Sequence, residues 1–175
     1  MADFKKWEEK LRKLNDYLEN DIQTRIGVES VNHFKESFEN QGFTDSSLQK
    51  WDEVERRKPE SPWYGFKYKG TAKRPGRKSR RKGGYTHYSP AATSRQILSG
   101  ETGNLMNGIR WRKNGRRVEI TANTEYAQLI NEGGQMKVFG KHITTMPQRQ
   151  FMGKSKALNK KIEAKIIKDL KRIMR

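Results

Sequence analysis

Apolar residues recur in steps of three and four along the first forty positions. Phe4, Trp7, Leu11, Leu14 and Leu18 make one stripe between charged faces, the spacing of an amphipathic helix. Asp3 stands where an N-cap belongs, and no proline interrupts the chain before Pro59. Ile26, Val31, Phe34 and Phe38 mark a second helical stretch ending near Gln41-Gly42. The ordinary fate of both stripes is packing, and His33 reads as a surface or core histidine rather than a ligand. From 40 to 66 the aromatics Phe43, Trp51, Trp63, Tyr64 and Phe66 follow no clean period; such segments usually cap a core or dock a neighbouring subunit.

The clearest β signal lies at 107–122. Asn114-Gly115 is a preferred hairpin turn pair. Taken as a two-residue loop, it sets Trp111 opposite Val118 and Ile109 opposite Ile120 on one apolar face. On the other face Arg110 meets Glu119, and Arg112 meets Arg117 in a repulsive pair. Beyond it, Asn123 stands as an N-cap for a short helix through Tyr126, Ala127 and Ile130 that stops at Gly133-Gly134. Val138, Phe139 and Ile143 around Gly140 suit two short strands or a β-excursion, and Met146-Pro147 opens a turn. A final helix begins at about Ser155. Leu158, Ile162, Ile166 and Leu170 step by four along it between lysine-rich faces. This pattern predicts an α+β fold with N-terminal helices and a small antiparallel sheet holding the central hairpin. The long C-terminal helix is expected to pack on that sheet and cover Trp111 and Val118.

Composition then restricts the possibilities. The chain has 175 residues, 32% hydrophobic and 33% charged, so it carries a modest core with extensions. It has no cysteine, which excludes disulfides, thiolate metal sites and cysteine nucleophiles. His33, His87 and His142 are too far apart for a local metal motif. No apolar run approaches a membrane span, and Met1 leads into charged residues rather than a signal-peptide core. A soluble protein made in the cytosol is expected.

Charge divides the chain into three parts. The net charge is +18, yet residues 1–60 hold 11 Lys+Arg against 14 Asp+Glu. Residues 61–100 hold 10 Lys+Arg and no acid, and residues 101–175 hold 17 against 6. The expected organisation is one structural domain with extensions. A helical and aromatic segment spans 1–66, a basic mobile loop 67–89, and an α+β core with the final helix 90–175. Lys73, Arg74, Arg77, Lys78, Arg80, Arg81 and Lys82 make that loop a contact surface for nucleic acid or an acidic protein, with Tyr85, His87 and Tyr88 adding stacking surface. A solvated loop is the plain alternative.

No phosphate loop, dinucleotide fingerprint, HExxH or GxSxG motif occurs, and carboxylates are sparse after residue 100. These absences argue against an enzyme, and no cofactor, metal or small-molecule substrate is expected.

The second half carries an ordered set of short motifs. Ile97-Leu98 precedes Thr102-Gly103-x-Leu105; the hairpin follows, then Tyr126-Ala127 with Gly133-Gly134, then Met146-Pro147-x-Arg149-x-Phe151-Met152-Gly153. Upstream lie His33-Phe34, Phe38, Gln41-Gly42-Phe43 and Trp51. Over residues 25–175 this order resembles the phage virion morphogenesis (tail completion) family. Gln150 departs from it where members often carry a second proline, and the long basic loop is an addition. The resemblance implies a non-catalytic virion protein of a tailed phage or prophage, assembled in the bacterial cytoplasm. It would complete the tail or join it to the head at the neck. Its implied partners are a connector, a tail terminator or a tube protein, with further copies of itself in a ring and DNA nearby. Pro147, Arg149 and Phe151 would set how the last helix leaves the sheet, Arg149 bridging backbone carbonyls or a neighbour's carboxylate. The alternative is a general nucleic-acid-binding protein using the basic loop and the C-terminal lysines.

Overall fold

The helical period of the first forty residues becomes one nearly unbroken rod in the computed structural model, which describes residues 2–66, 80–81, 84–85, 89–100, 102–138 and 142–175. Helix α1 (Ala2–Asp16) runs through a wider π turn at Tyr17–Asp21 into α2 (Ile22–Asn40). Asp3, expected as an N-cap, falls within the bounds of α1. Gln41 closes α2 in the left-handed region (φ 51°), and its N–H donates back to Phe38 O. Phe34 and Phe38 turn inward and are buried. The stripe of α1 and the π turn does not: Phe4 is 70%, Trp7 and Leu11 each 55%, and Leu18, in the π turn, 47% exposed. Among the described residues the packing expected for that first stripe is not made, and the last turns of the C-terminal helix are what lies beside α1.

After α2 come β1 (Gly42–Thr44) and β2 (Leu48–Lys50), a 3-10 turn at Glu55–Arg57, and the short ladder of β3 (Arg80–Arg81) with β4 (Gly84–Tyr85). Then follow α3 (Pro90–Ser94), α4 (Asn104–Asn107), β5 (Ile109–Asn114), β6 (Arg117–Ala122), α5 (Ala127–Glu132), β7 (Gly134–Val138), β8 (His142–Met146) and α6 (Lys156–Met174). The strands form four separate antiparallel pairs, β1–β2, β3–β4, β5–β6 and β7–β8, among the described residues. The α+β class stands, but the strands do not join into one sheet.

The central hairpin keeps its predicted face and changes its register. Asn114 pairs with Arg117, Trp111 with Ile120 and Ile109 with Ala122. The loop is Gly115-Arg116, with Gly115 at φ 57°, as a turn with glycine in its first central position requires. A shift of two residues preserves side-chain parity, so Ile109, Trp111, Val118 and Ile120 still share a face. It also dissolves the expected Arg112–Arg117 repulsion. Arg112 now lies opposite Glu119 and binds it at 2.7 Å, while Asn114 donates a second hydrogen bond to the same carboxylate.

The cover over this hairpin is α2, correcting the expectation that the C-terminal helix provides it. Gly27 on α2 is the point of closest approach: a Cβ there would fall inside the Trp111 indole. Ile109 is fully buried, and Trp111, Val118 and Ile120 are half-buried.

Helix α6 instead runs antiparallel along α2 and reaches α1 at its far end. Three ion pairs mark that register: Lys161–Glu36 (2.7 Å), Lys165–Glu29 (3.3 Å) and Asp169–Arg25 (2.8 Å). The acidic first block and the basic last block thus meet. The Lys161–Glu36 pair, exposed on both sides, contributes about 0–1 kcal/mol and serves register more than stability. One core joins Phe34, Phe38 and Phe43 from the first block to Leu105, Ile109, Ala127, Phe151 and Leu158 from the last. Segments 1–66 and 90–175 therefore fold together.

Candidate functional site

Residues 147–153 lack a helix or strand of their own, so their backbone groups must find partners elsewhere. The neighbours supply them. Arg149 N–H donates to Ile130 O (2.8 Å), and Asn131 Oδ1 accepts from Phe151 N (2.9 Å) and Met152 N (3.0 Å). Trp51 Nε1 donates to Gln150 O (2.7 Å) and Ser37 Oγ to Phe151 O (3.3 Å). Gly133, at φ 72°, lets the end of α5 come against the backbone of Gln148; a Cβ would stand 2.9 Å from Gln148 N. Phe151 fills the centre, 1% exposed, with its ring 5.3 Å from that of Phe38.

Arg149 is buried in the same knot, while Pro147 sits exposed at its entrance. Its Nη2 donates to Asp52 O (3.3 Å), and its Nε has no partner. Burial lowers the affinity of this guanidinium for its proton, and the charges of Asp52 and Glu53 oppose that effect. Of the two roles expected for Arg149, the one observed is a bond to a backbone carbonyl of its own chain. The turn fixes the start of α6 beside α2, not beside a sheet.

A second polar knot lies at the cap of α6. Ser155 Oγ accepts from Leu158 N (3.0 Å), donates to Thr44 O (2.8 Å) and lies 3.0 Å from His33 Nε2. His33 Nε2 is also 3.0 Å from Thr44 O, so this nitrogen carries the proton and donates. His33 Nδ1 is buried and unpartnered, with Glu36 Oε2 at 3.9 Å. Serine, histidine and carboxylate in a row resemble a hydrolytic triad. Here the serine is buried, engaged as a helix cap and as a donor to Thr44. The arrangement is a structural clasp. Burial pulls the histidine's pKa below its ordinary value, Lys161 adds to this, and Thr44 and Glu36 oppose it.

A third cluster joins the far end of α6 to the helical rod. Asp169 is buried, accepting from Arg25 Nε (2.8 Å) and Tyr17 Oη (3.2 Å), with Arg172 Nη2 at 3.4 Å. Burial alone would raise this carboxyl's pKa; Arg25, Tyr17 and Arg172 together hold it below the usual value. Nothing in the sequence pattern marked this group, since Asp169 looks like one more charge on a lysine-rich helix.

The remaining sequence-predicted residues divide cleanly. Arg80 and Arg81 lie on β3, paired by backbone with Tyr85 and Gly84. Lys73, Arg74, Arg77, Lys78 and Lys82, and most of the loop expected to be mobile, lie outside the described residues. Asn123 does not cap α5, which begins at Ala127 after Tyr126. Residues 139–141, including Phe139 and Gly140, are likewise outside the described residues. Among the described residues no three His, Asp or Glu side chains converge as a metal site, and no helix is long and apolar enough to cross a membrane. No family model, curated protein or solved structure matches this chain.

Proposed function

We propose that this chain is a non-catalytic virion morphogenesis protein of a tailed phage or prophage, completing the tail or joining it to the head at the neck. The observation that supports this reading is the convergence of the motif residues. Phe34, Phe38, Phe43, Leu105, Ala127 and Phe151, drawn from six separate motifs, meet in one core. Trp51 and Asn131 clamp the backbone of the turn that carries Arg149 and Phe151. A shared order of short motifs is thus matched by a shared spatial purpose, which is to hold a small fold together. The polar clusters of that fold are spent on internal bonds, so interaction falls to its surfaces: the basic loop, the lysine face of α6 and the uncovered face of α1.

In this role the loop cations Lys73, Arg74, Arg77, Lys78, Arg80, Arg81 and Lys82 meet DNA or an acidic subunit of a connector, tail terminator or tube. Further copies of the chain stand beside it in a ring in the virion, after assembly in the host cytoplasm.

The test is its place in particles. Deleting the gene from an inducible prophage should yield filled heads and tails that fail to join, and immunogold labelling should mark the neck of complete particles. Normal yields of infectious particles without the protein would overturn the reading.

A further inference from the structure

Helix α1 and the π turn that continues it carry more exposed large apolar side chains than any other described element. Phe4, Trp7, Leu11 and Leu18 are all about half or more exposed, whereas elsewhere such residues lie singly or in pairs. A single exposed leucine needs no explanation; four large side chains on one helical face do. With Leu14 their spacing is 3-4-3-4, the a/d rule of a coiled-coil seam rather than the broader stripe of a helix lying on a globular core. The chain's own contacts use a different side of α1. Lys10 bonds to Met174 O and buried Tyr17 to Asp169, both on or beside α6, and half-buried Leu14 lies at the border. At about 100° per residue that side is roughly a quarter-turn from the exposed seam.

We propose that α1 pairs, antiparallel, with α1 of a second copy of this chain. Area, charge and orientation each point there. The four exposed side chains offer roughly 400–500 Å² per copy. Two copies with the stems of flanking charged residues then bury about 1,200 Å², the low end for a specific interface and suited to reversible pairing. Two chains of net charge +18 repel, and residues 1–60, with 11 Lys+Arg against 14 Asp+Glu, form the nearly balanced block where that repulsion is weakest. In heptad terms Phe4, Leu11 and Leu18 are a positions and Trp7 and Leu14 are d positions. Asp3 and Lys10 then fall at g, and Glu8 and Asn15 at e. A parallel pair sets Asp3 against Glu8 of the other copy, like against like. An antiparallel pair with Leu11 opposite Leu14 sets Glu8 against Asn15 and opposes the helix dipoles. The pairing gives a surface to self-association in the proposed role but stands on the helix alone.

Sedimentation equilibrium of the full chain in high salt, which screens charge and leaves apolar association intact, reads the pairing directly. Wild type should pass from monomer to dimer across the micromolar range. Trp7→Gln and Leu11→Gln should each weaken the dimer about tenfold or more, a loss near 1.4 kcal/mol, without moving the thermal midpoint of the monomer. The absence of cysteine makes orientation testable: Leu11→Cys and Leu14→Cys chains should cross-link with each other when mixed, and far less each with itself. A wild type that stays monomeric throughout would overturn self-pairing and assign the seam to a different protein. Glutamine variants that associate like wild type would place the contact on another face, and self-cross-linking equal to the mixed reaction would overturn the antiparallel arrangement. None of these outcomes bears on the neck location, which the particle experiment reads separately.

Discussion

Helices α1 and α2 are halves of one rod with the same kind of apolar period and opposite fates. Phe34 and Phe38 on α2 are 5% and 2% exposed, while Trp7 and Leu11 on α1 keep more than half their surface in water. The difference lies in neighbours. The β5–β6 hairpin and α6 both pack on α2, whereas α1 extends past the hairpin and, among the described residues, meets the end of α6. Periodicity therefore reports that a face is built for burial and says nothing about whether the same chain supplies the cover.

The sharpest way to test that contrast is to remove matching bulk from each half. Phe38→Ala should cost about 3–5 kcal/mol, read as a lower urea midpoint, because Phe38 is fully enclosed between Trp51 and Phe151. Gly27→Ala should cost about 1–3 kcal/mol by driving a methyl into Trp111, and in a Trp111→Leu background it should cost clearly less. An equal cost in both backgrounds would detach the hairpin from α2. Ser155→Ala should lose about 0.5–2 kcal/mol through the α6 cap, with Thr44 O left one donor poorer.

Proton linkage gives a subtler effect. His33 has a folded pKa below its unfolded value near 6.5, so the unfolded chain binds the proton more readily. Its contribution to stability is present above about pH 6.5 and declines as pH falls toward the folded pKa. Urea midpoints should drop between neutral and mildly acidic pH in wild type, with a shallower fall in His33→Gln. The smallest effect belongs to α1: Trp7→Gln and Leu11→Gln should move monomer stability by no more than about 0.5 kcal/mol. A large loss there would mean that α1 already has a cover within its own chain.

Much of the local structure was legible because it rests on short-range rules. The end of α2 at Gln41-Gly42 and the start of α6 at Ser155 follow from turn and cap chemistry. The hairpin showed its existence and its faces but not its register. The Asn-Gly pair suits the two central positions of a tight turn, whereas Asn114 is the last paired residue and Gly115 the first of the loop. Two registers two residues apart bury the same face, so the apolar pattern cannot separate them. The Arg112–Glu119 pair and the Asn114 bond to the same carboxylate belong to the observed one. The Phe151 turn was legible as a motif, but its clamps were not. Trp51, Asn131 and Ser37 are distant in sequence, and nothing local shows that their polar atoms point at backbone groups 20 to 114 residues away.

The sequence by itself determined the two N-terminal helical stretches, the hairpin, the last helix and the split between an acid-balanced first block and a basic remainder. Each depends on residue type at fixed spacing, and the backbone converts spacing into a face without reference to the rest of the fold. Only the tertiary structure decided which faces meet: α2 rather than α6 over the hairpin, α6 antiparallel to α2 along its ion pairs, and α1 with its seam left bare. Those choices depend on shape at contacts such as Gly27 against Trp111. They depend equally on buried charges such as Asp169, which find partners far along the chain. An apolar face gains from burial against any complementary surface, because the hydrophobic effect has area but no direction. Direction comes from the polar and steric details that only the assembled fold brings together.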